Sequence, residues 1–192
     1  MTHTTFLSPD TARDLNAPLA TIRLQLEPMT AAHADALFAP LQDAAIYDWI
    51  SAKAPGSAEI LRRHWGRNEC RLSPDGDEAW LNWAVRRTSD GAYVGTVDVN
   101  VDDAKTATNV GYTFFPAYWG QGLATEAVVA VVNHLIGRGI LRLVATVTVG
   151  NAASRRVLAK AGFTFTRVLT DNDMIRGVVH DDDEYVRTVH PN

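Results

Sequence analysis

Across Val110 to Arg138 the hydrophobic pattern switches period within a few residues. Val110 to Phe115 is a short apolar and aromatic run, Pro116 stops it, and Trp119-Gly120-Gln121-Gly122 reads as a tight loop. Beyond the loop Ala124, Ala127, Val128, Val131, Val132 and Leu135 recur at helical spacing. Val129, Ala130 and Ile136 fill part of the other side, so the pattern predicts a helix buried nearly all round.

Before that stretch, Ala20 to Leu26 alternates, with Ile22, Leu24 and Leu26 opposite Thr21, Arg23 and Gln25, which predicts a strand. Thr30 is placed to cap a helix through Leu41, with Ala34, Leu37, Phe38 and Leu41 on one face. Ile46, Trp49 and Ile50 mark a short second helix, and Ser57 caps a third carrying Ile60, Leu61, His64 and Trp65. Trp80 to Arg87 and Tyr93 to Val101 form a hairpin about Ser89-Asp90-Gly91. In its return strand Tyr93, Gly95, Val97, Val99 and Val101 share one face, leaving Thr96, Asp98 and Asn100 on the other.

After the long helix, Arg142 to Val149 reads as a strand, and Asn151 caps a helix that Gly162 ends, with Phe163 packing back. Phe163 to Leu169 is another strand, 170–183 a loop or ragged hairpin, and Tyr185 to Val189 a last strand. The acid run Asp181 to Glu184 reads as a solvated turn. Residues 1–18 carry Pro9 and Pro18 without periodicity, which predicts a loose arm ahead of a single domain over 19–192. Hairpins first and a strand–helix–strand crossover later predict an α+β domain, a mixed sheet with helices on both faces.

Composition narrows the possible roles. Of 192 residues 46% are hydrophobic and 21% charged, ordinary for a soluble domain, and a net charge of −4 with no basic cluster longer than a pair argues against direct nucleic-acid binding. Cys70 is the single cysteine, so neither an intramolecular disulfide nor a cysteine metal cluster can form, and no metal is expected. No apolar run approaches the roughly 20 residues of a membrane span. Met1 to Pro18 lacks the charged start and apolar middle of a signal peptide, so the cytoplasm is the expected location.

A glycine loop that opens straight into a helix leaves N–H groups pointing out of the helix start, where the macrodipole adds positive charge: a seat for a pyrophosphate. A P-loop would need a lysine that this loop lacks. A dinucleotide fingerprint would place glycine at Thr125 and an acid near Thr146 to Val149, and neither is present. The stretch Trp119 to Ala124 instead resembles the coenzyme A loop [QR]xxGx[GA] of the GNAT superfamily of acyl-CoA-dependent N-acetyltransferases, with Trp119 at the Gln/Arg position. That tryptophan, the aromatic strand before it, and Asn151 to Phe163, which is similar to NxxSxx[VL][LM]xKxGF, look like the RimJ/RimL branch of ribosomal-protein N-terminal acetyltransferases. The resemblance covers roughly residues 19–189.

It implies a GNAT fold of roughly seven strands, mostly antiparallel, in which the strands at 93–101 and 108–115 run parallel beside a splayed gap. Acetyl-CoA would lie there, its pantetheine arm against the backbone of Val97, Val99 and Val101 and beside Asn151. The pyrophosphate would fall on the N–H groups of Trp119, Gly120, Gln121, Gly122, Leu123, Ala124 and Thr125. Many GNAT enzymes place a tyrosine acid where Leu158 stands here; the RimJ/RimL pattern makes Ser154 the acid, and also a cofactor contact. Asn109 occupies the usual glutamate position, so the base candidates are Asp98, on the polar strand face, and then Glu126, whose other reading is a complement to the helix dipole. His134 reads as a core histidine, while Trp49 and Trp65 either line an acceptor pocket or anchor the core. Two functions remain open: acetyl transfer to a protein N-terminal or small-molecule amine, and non-catalytic acyl-CoA binding. Monomer and homodimer are both compatible with the sequence.

Overall fold

The computed structural model describes residues 7–189. The chain begins with α1 (Pro9–Leu15), β1 (Leu19–Ala20), β2 (Leu24–Pro28), α2 (Ala34–Phe38) and α3 (Ala58–Arg67). A meander of β3 (Glu78–Arg87), β4 (Tyr93–Asp102) and β5 (Thr106–Phe114) leads to α4 (Leu123–Gly137). Then come β6 (Arg142–Thr148), α5 (Ala152–Lys160), β7 (Thr164–Ile175) and β8 (Val178–Thr188). The strands make one eight-stranded sheet ordered β1-β2-β3-β4-β5-β6-β8-β7. Every pairing is antiparallel except β5 with β6.

The predicted periods explain the two layers. Val97, Val99 and Val101 of β4 are fully buried, as are Ala127, Val128, Val131 and Val132 of α4, and both sets belong to the main core on the α4/α5 face. A smaller core on the opposite face joins Met29, Leu37, Ile46, Ala84 and Phe115 under α2 and α3. Gly95 makes the β4–β5 contact possible, because a Cβ there would meet the Thr113 carbonyl and the Phe114 Cα of β5. Those are backbone atoms and cannot swing aside. Gly95→Ala is therefore expected to cost more than about 2 kcal/mol, measured as a fall in the urea midpoint.

Four sequence expectations are corrected. Residues 9–15 are a helix and no loose arm: the Ser8 side chain accepts the Thr11 N–H, and Ala12 and Leu15 are buried in the main core, while residues 1–6 lie outside the described residues. The alternation over 20–26 is a hairpin, with Leu19 facing Leu26 and Ala20 facing Gln25, so Ile22 at its tip is 95% exposed. The helix expected from Thr30 to Leu41 is short turns flanking α2, since Pro40 has no N–H to continue it. The acid run is no solvated turn: it lies in β8 between β6 and β7, with Asp182 and Asp183 each 4% exposed. Asp183 pairs with Arg155, and Asp182 accepts from Asn172 Nδ2 at 2.8 Å.

Residues 170–183 accordingly extend the β7–β8 hairpin. At its tip Arg176 donates to the Ala44 carbonyl at 3.1 Å and pairs with Asp48 at 2.9 Å, clipping the tip to the 3-10 segment Ala44–Asp48.

Candidate active site

The splayed gap lies one strand further along than the sequence implies. β4 and β5 are antiparallel and paired throughout, whereas β5 and β6 are parallel and pair only at Thr106 with Arg142 and Ala107 with Leu143 before separating. Val97, Val99 and Val101 sit between β3 and β5 with their backbone committed to both, so they do not line the gap. The Phe115 N–H bonds the Val94 carbonyl at 3.0 Å. By the alternation of an antiparallel ladder, Val110, Tyr112 and Phe114 then turn their N–H and C=O groups away from β4 and into the gap. The Val149 N–H bonds the Asp181 carbonyl at 2.9 Å, which turns those of Val144, Thr146 and Thr148 in from the other side. The Phe114 carbonyl is taken by Trp119 Nε1 and the Thr148 carbonyl by the Asn151 N–H, and between these ends an extended chain fits between the two rows.

At the top of the gap β5 ends, Trp119 Nε1 donates to the Phe114 carbonyl at 2.6 Å, and the glycine loop begins. Gly120 and Gly122 have φ of +74° and +76°, a conformation open to glycine and strained for most residues. The first intrahelical bond of α4 runs from the Glu126 N–H to the Gly122 carbonyl, 3.1 Å, so the N–H groups of Leu123, Ala124 and Thr125 come before it. Gly122, the cap residue, has no side chain to take them.

Arg23, read from sequence as one polar residue of a strand, reaches this loop from the β1–β2 hairpin tip. Its Nη1 donates to the Gln121 carbonyl at 3.0 Å, and its Nη2 stands 3.6 Å from where a Cβ on Gly122 would be. Glu126 is held by the same hairpin: it accepts from Thr21 Oγ1 (2.6 Å), the Arg23 N–H (2.9 Å) and Arg23 Nε (2.6 Å). Although partial burial works the other way, these bonds hold its carboxyl below the usual range. Glu126 thus ties helix to hairpin, its charge offset by Arg23.

Two polar groups lie over adjacent residues of β5, on opposite faces of the sheet. On the α4/α5 side, Tyr112 and Ser154 share a hydroxyl–hydroxyl hydrogen bond of 2.7 Å, and burial pushes the Tyr112 phenol up to about 12. Asn151 Oδ1 accepts the Ser154 N–H at 3.1 Å, fixing the first turn of α5. Leu158 is fully buried.

On the other side Asp98 is opposite Gly111. A Cβ on Gly111 would be 2.5 Å from Asp98 Oδ2, so the carboxyl occupies the space that the glycine leaves open. Asn109 Nδ2 approaches the same oxygen at 3.4 Å. Asp98 keeps some accessible surface, but its carboxyl is packed low between strands, and burial pushes it up to about 6. Because Gly111 and Tyr112 are consecutive, the carboxyl and the hydroxyl pair lie on opposite faces of the sheet at neighbouring positions of β5. Next to Asp98 on its face, Thr96 and Thr113 floor a cleft of about 240 Å³ walled by Ile46, Tyr47, Ile50 and Trp65. Trp49 packs instead over Gly150, its carbonyl accepting from Thr148 Oγ1 at 3.2 Å. His134 Nε2 donates to the Leu15 carbonyl, 2.9 Å, far from this region in a packing role.

A family model described as an acetyltransferase (GNAT) domain matches residues 23–164. The chain is 29% identical over 107 residues to YoaA, an uncharacterized N-acetyltransferase of Bacillus subtilis, covering 55% of this chain and 60% of that protein. It is 35% identical over 72 residues to the uncharacterized N-acetyltransferase C18E5.08 of Schizosaccharomyces pombe, covering 37% and 39%. Each match spans less than two thirds of the relative's length. Among solved structures, the ribosomal L7/L12 α-N-protein acetyltransferase RimL in complex with coenzyme A superposes with a TM-score of 0.79 at 23% identity, covering 90% of this chain and 98% of that one. The ribosomal-protein-S5-alanine acetyltransferase of Vibrio fischeri gives 0.78 at 17%, covering 90% and 96%. The microcin C7 self-immunity acetyltransferase MccE, in complex with acetyl-CoA and AMP, gives 0.74 at 19%, covering 88% and 94%. At these identities the likeness is one of fold.

Proposed function

We propose, for a chain that belongs to the GNAT acetyltransferase family, that it transfers an acetyl group from acetyl-CoA to a primary amine, on a protein N-terminus or a small molecule, in a cytoplasmic setting. The observation that carries this reading is the β5–β6 gap, where two backbone rows face each other without pairing, with a carboxyl and a hydroxyl pair over adjacent residues of its β5 edge. The site fits the cofactor. The loop N–H groups and Arg23 would hold the pyrophosphate, and hydrogen bonds to charged oxygens are worth roughly 1.5–3 kcal/mol each. Val110, Tyr112 and Phe114, with Asn151 across the gap, would take the pantetheine arm. Bound acetyl-CoA supplies an activated thioester carbonyl.

The protein's part is proton handling. An aliphatic ammonium must lose a proton before it can attack, and Asp98, with its carboxyl near 6, is ionised at neutral pH yet basic enough to accept that proton directly or through water. Ser154 presents an O–H to the departing sulfur, with Tyr112 behind it. A phenol pushed up to about 12 keeps its proton at neutral pH, so this pair stabilises negative charge on sulfur by hydrogen bonding. The cleft beside Asp98 would receive the amine's substituent.

Coenzyme A release measured across small amines and N-terminal peptides tests this reading. Turnover with at least one is expected; acetyl-CoA binding without turnover on any would support the non-catalytic acyl-CoA module instead. Ser154→Ala is expected to lower kcat on the order of 10²-fold while acetyl-CoA affinity stays near wild type, because the hydroxyl acts on charge that appears only during reaction. An unchanged kcat would reduce Ser154 to a packing residue.

A further inference from the structure

The cleft of about 240 Å³ beside Asp98 has a one-sided lining. Most of its wall is apolar: Ile46 and Ile50 on one side, Leu61 and Trp65 from one face of α3 on the other. Tyr47 is there too, but its hydroxyl is already given to the Leu41 carbonyl at 2.7 Å. Apart from that phenol the ionisable side chains of the lining are Lys53 and His64, both basic, and no carboxylate lines it.

The polar groups left open in this lining can all donate. Lys53 is exposed and makes no ion pair or hydrogen bond among the described residues. The loop that carries it is anchored, since Gln42 Nε2 donates to the Pro55 carbonyl at 3.0 Å, which keeps the ammonium near the cleft. Trp65 Nε1 and the hydroxyls of Thr96 and Thr113 also have no partner among the described residues, yet none is a buried orphan, so each keeps some accessible surface. The acids on the neighbouring segments are engaged elsewhere: Asp43 accepts the Ala45 N–H at 3.0 Å, Asp48 pairs with Arg176 and Glu59 with Arg62. A negative group entering the cleft therefore meets a cation and free donors and no like charge. A second positive group would meet Lys53 and give up water with no carboxylate in the lining to replace it. At about 30 Å³ per water the cleft holds the volume of roughly eight waters, room for one short alkyl or aryl body.

We infer that the acceptor is a primary amine that also carries a carboxylate: its amine at Asp98, an apolar body along Ile46, Ile50 and Trp65, and its carboxylate on Lys53. The inference rests on the acetyl-transfer reading and names the acceptor class of that same site.

Three amines of equal chain length separate the charges: hexylamine, 6-aminohexanoate and 1,6-diaminohexane, each assayed for coenzyme A release. The aminohexanoate is expected to give the highest kcat/KM and the diamine the lowest, with steps of roughly fivefold for one exposed charge pair, and added salt should narrow the spread. Lys53→Glu should invert the order of the acid and the diamine. Arg63→Glu, the same charge change at an exposed α3 residue outside the lining, should not. Equal kcat/KM for the three amines, an unchanged order in Lys53→Glu, or the same inversion in Arg63→Glu would overturn the inference. Titration calorimetry with hexanoate, which has no amine to acetylate, makes the test independent of turnover: it is expected to bind the unaltered protein, and Lys53→Glu roughly fivefold more weakly. No coenzyme A release from any amine, with hexanoate still bound through Lys53, would count against acetyl transfer and for the cleft's choice of carboxylates. No release together with no hexanoate binding would overturn that choice.

Discussion

Asp98→Asn should give a protein that is more stable and far less active than wild type. Replacing the proposed general base is expected to lower kcat/KM roughly 10²–10⁴-fold near neutral pH, with part of the loss recovered at high pH, where more of the amine arrives neutral. The inflection near pH 6 that Asp98 contributes to the wild-type profile should vanish. The stability effect has the opposite sign. Burial raises this carboxyl from 3.8 to about 6, so between those values the folded state binds more protons than the unfolded state, and stability falls as pH rises through the window. A shift of that size corresponds to a penalty on the order of 3 kcal/mol above pH 6. Asparagine is neutral throughout and avoids it. The variant should therefore melt higher than wild type at pH 7, and the difference should close as pH falls to 4. Wild-type kcat/KM at pH 7 would remove Asp98 from the mechanism; a stability difference independent of pH would mean the carboxyl is better solvated than its packing implies.

Gly122→Asp should abolish acetyl-CoA binding without unfolding the chain. Aspartate tolerates a left-handed backbone better than most residues, so a φ of +76° is no barrier to folding. Its carboxylate would emerge beside Arg23 Nη2, against a Cβ position 3.6 Å away, and pair with the cation proposed for the pyrophosphate. Losing even two charge-assisted bonds corresponds to a drop of more than about 10²-fold in affinity. The rise in Tm with acetyl-CoA, which follows RT ln(1 + [L]/Kd), should disappear. Undiminished binding would make the loop a turn and nothing more.

What the sequence made legible was written within a few residues of itself. Ser57 and Asn151 as caps, Gly162 as the stop of α5 and the apolar wrap of α4 each depend on neighbours in the same turn. So does the parity that set Asp98 apart from Val97 and Val99. The misreadings share the opposite character. Ile22 continues an alternation that a two-residue turn also satisfies, and only pairing with Leu26 and Gln25 reveals the turn. Arg23 meets the glycine loop, and Tyr112 meets Ser154, across long separations in sequence that no local pattern records. The gap was displaced by one strand because two long strands can read alike while only register decides which pair separates; β5 and β6 part after two residues. Asp182 and Asp183 look solvated until β6 and β7 close over them from both sides.

The clip at Arg176 bears on any attempt to rebuild the cleft beside Asp98. The wall that carries Ile46, Tyr47 and Ile50 is fastened by the Ala44 carbonyl and Asp48 to a hairpin tip more than a hundred residues later. A chimera that imports this wall from a relative would keep the host's arginine and lose the surface it was fitted to. The two segments form a single exchangeable cassette, and grafting them together should preserve an ordered pocket where grafting the wall alone leaves its edge unmoored.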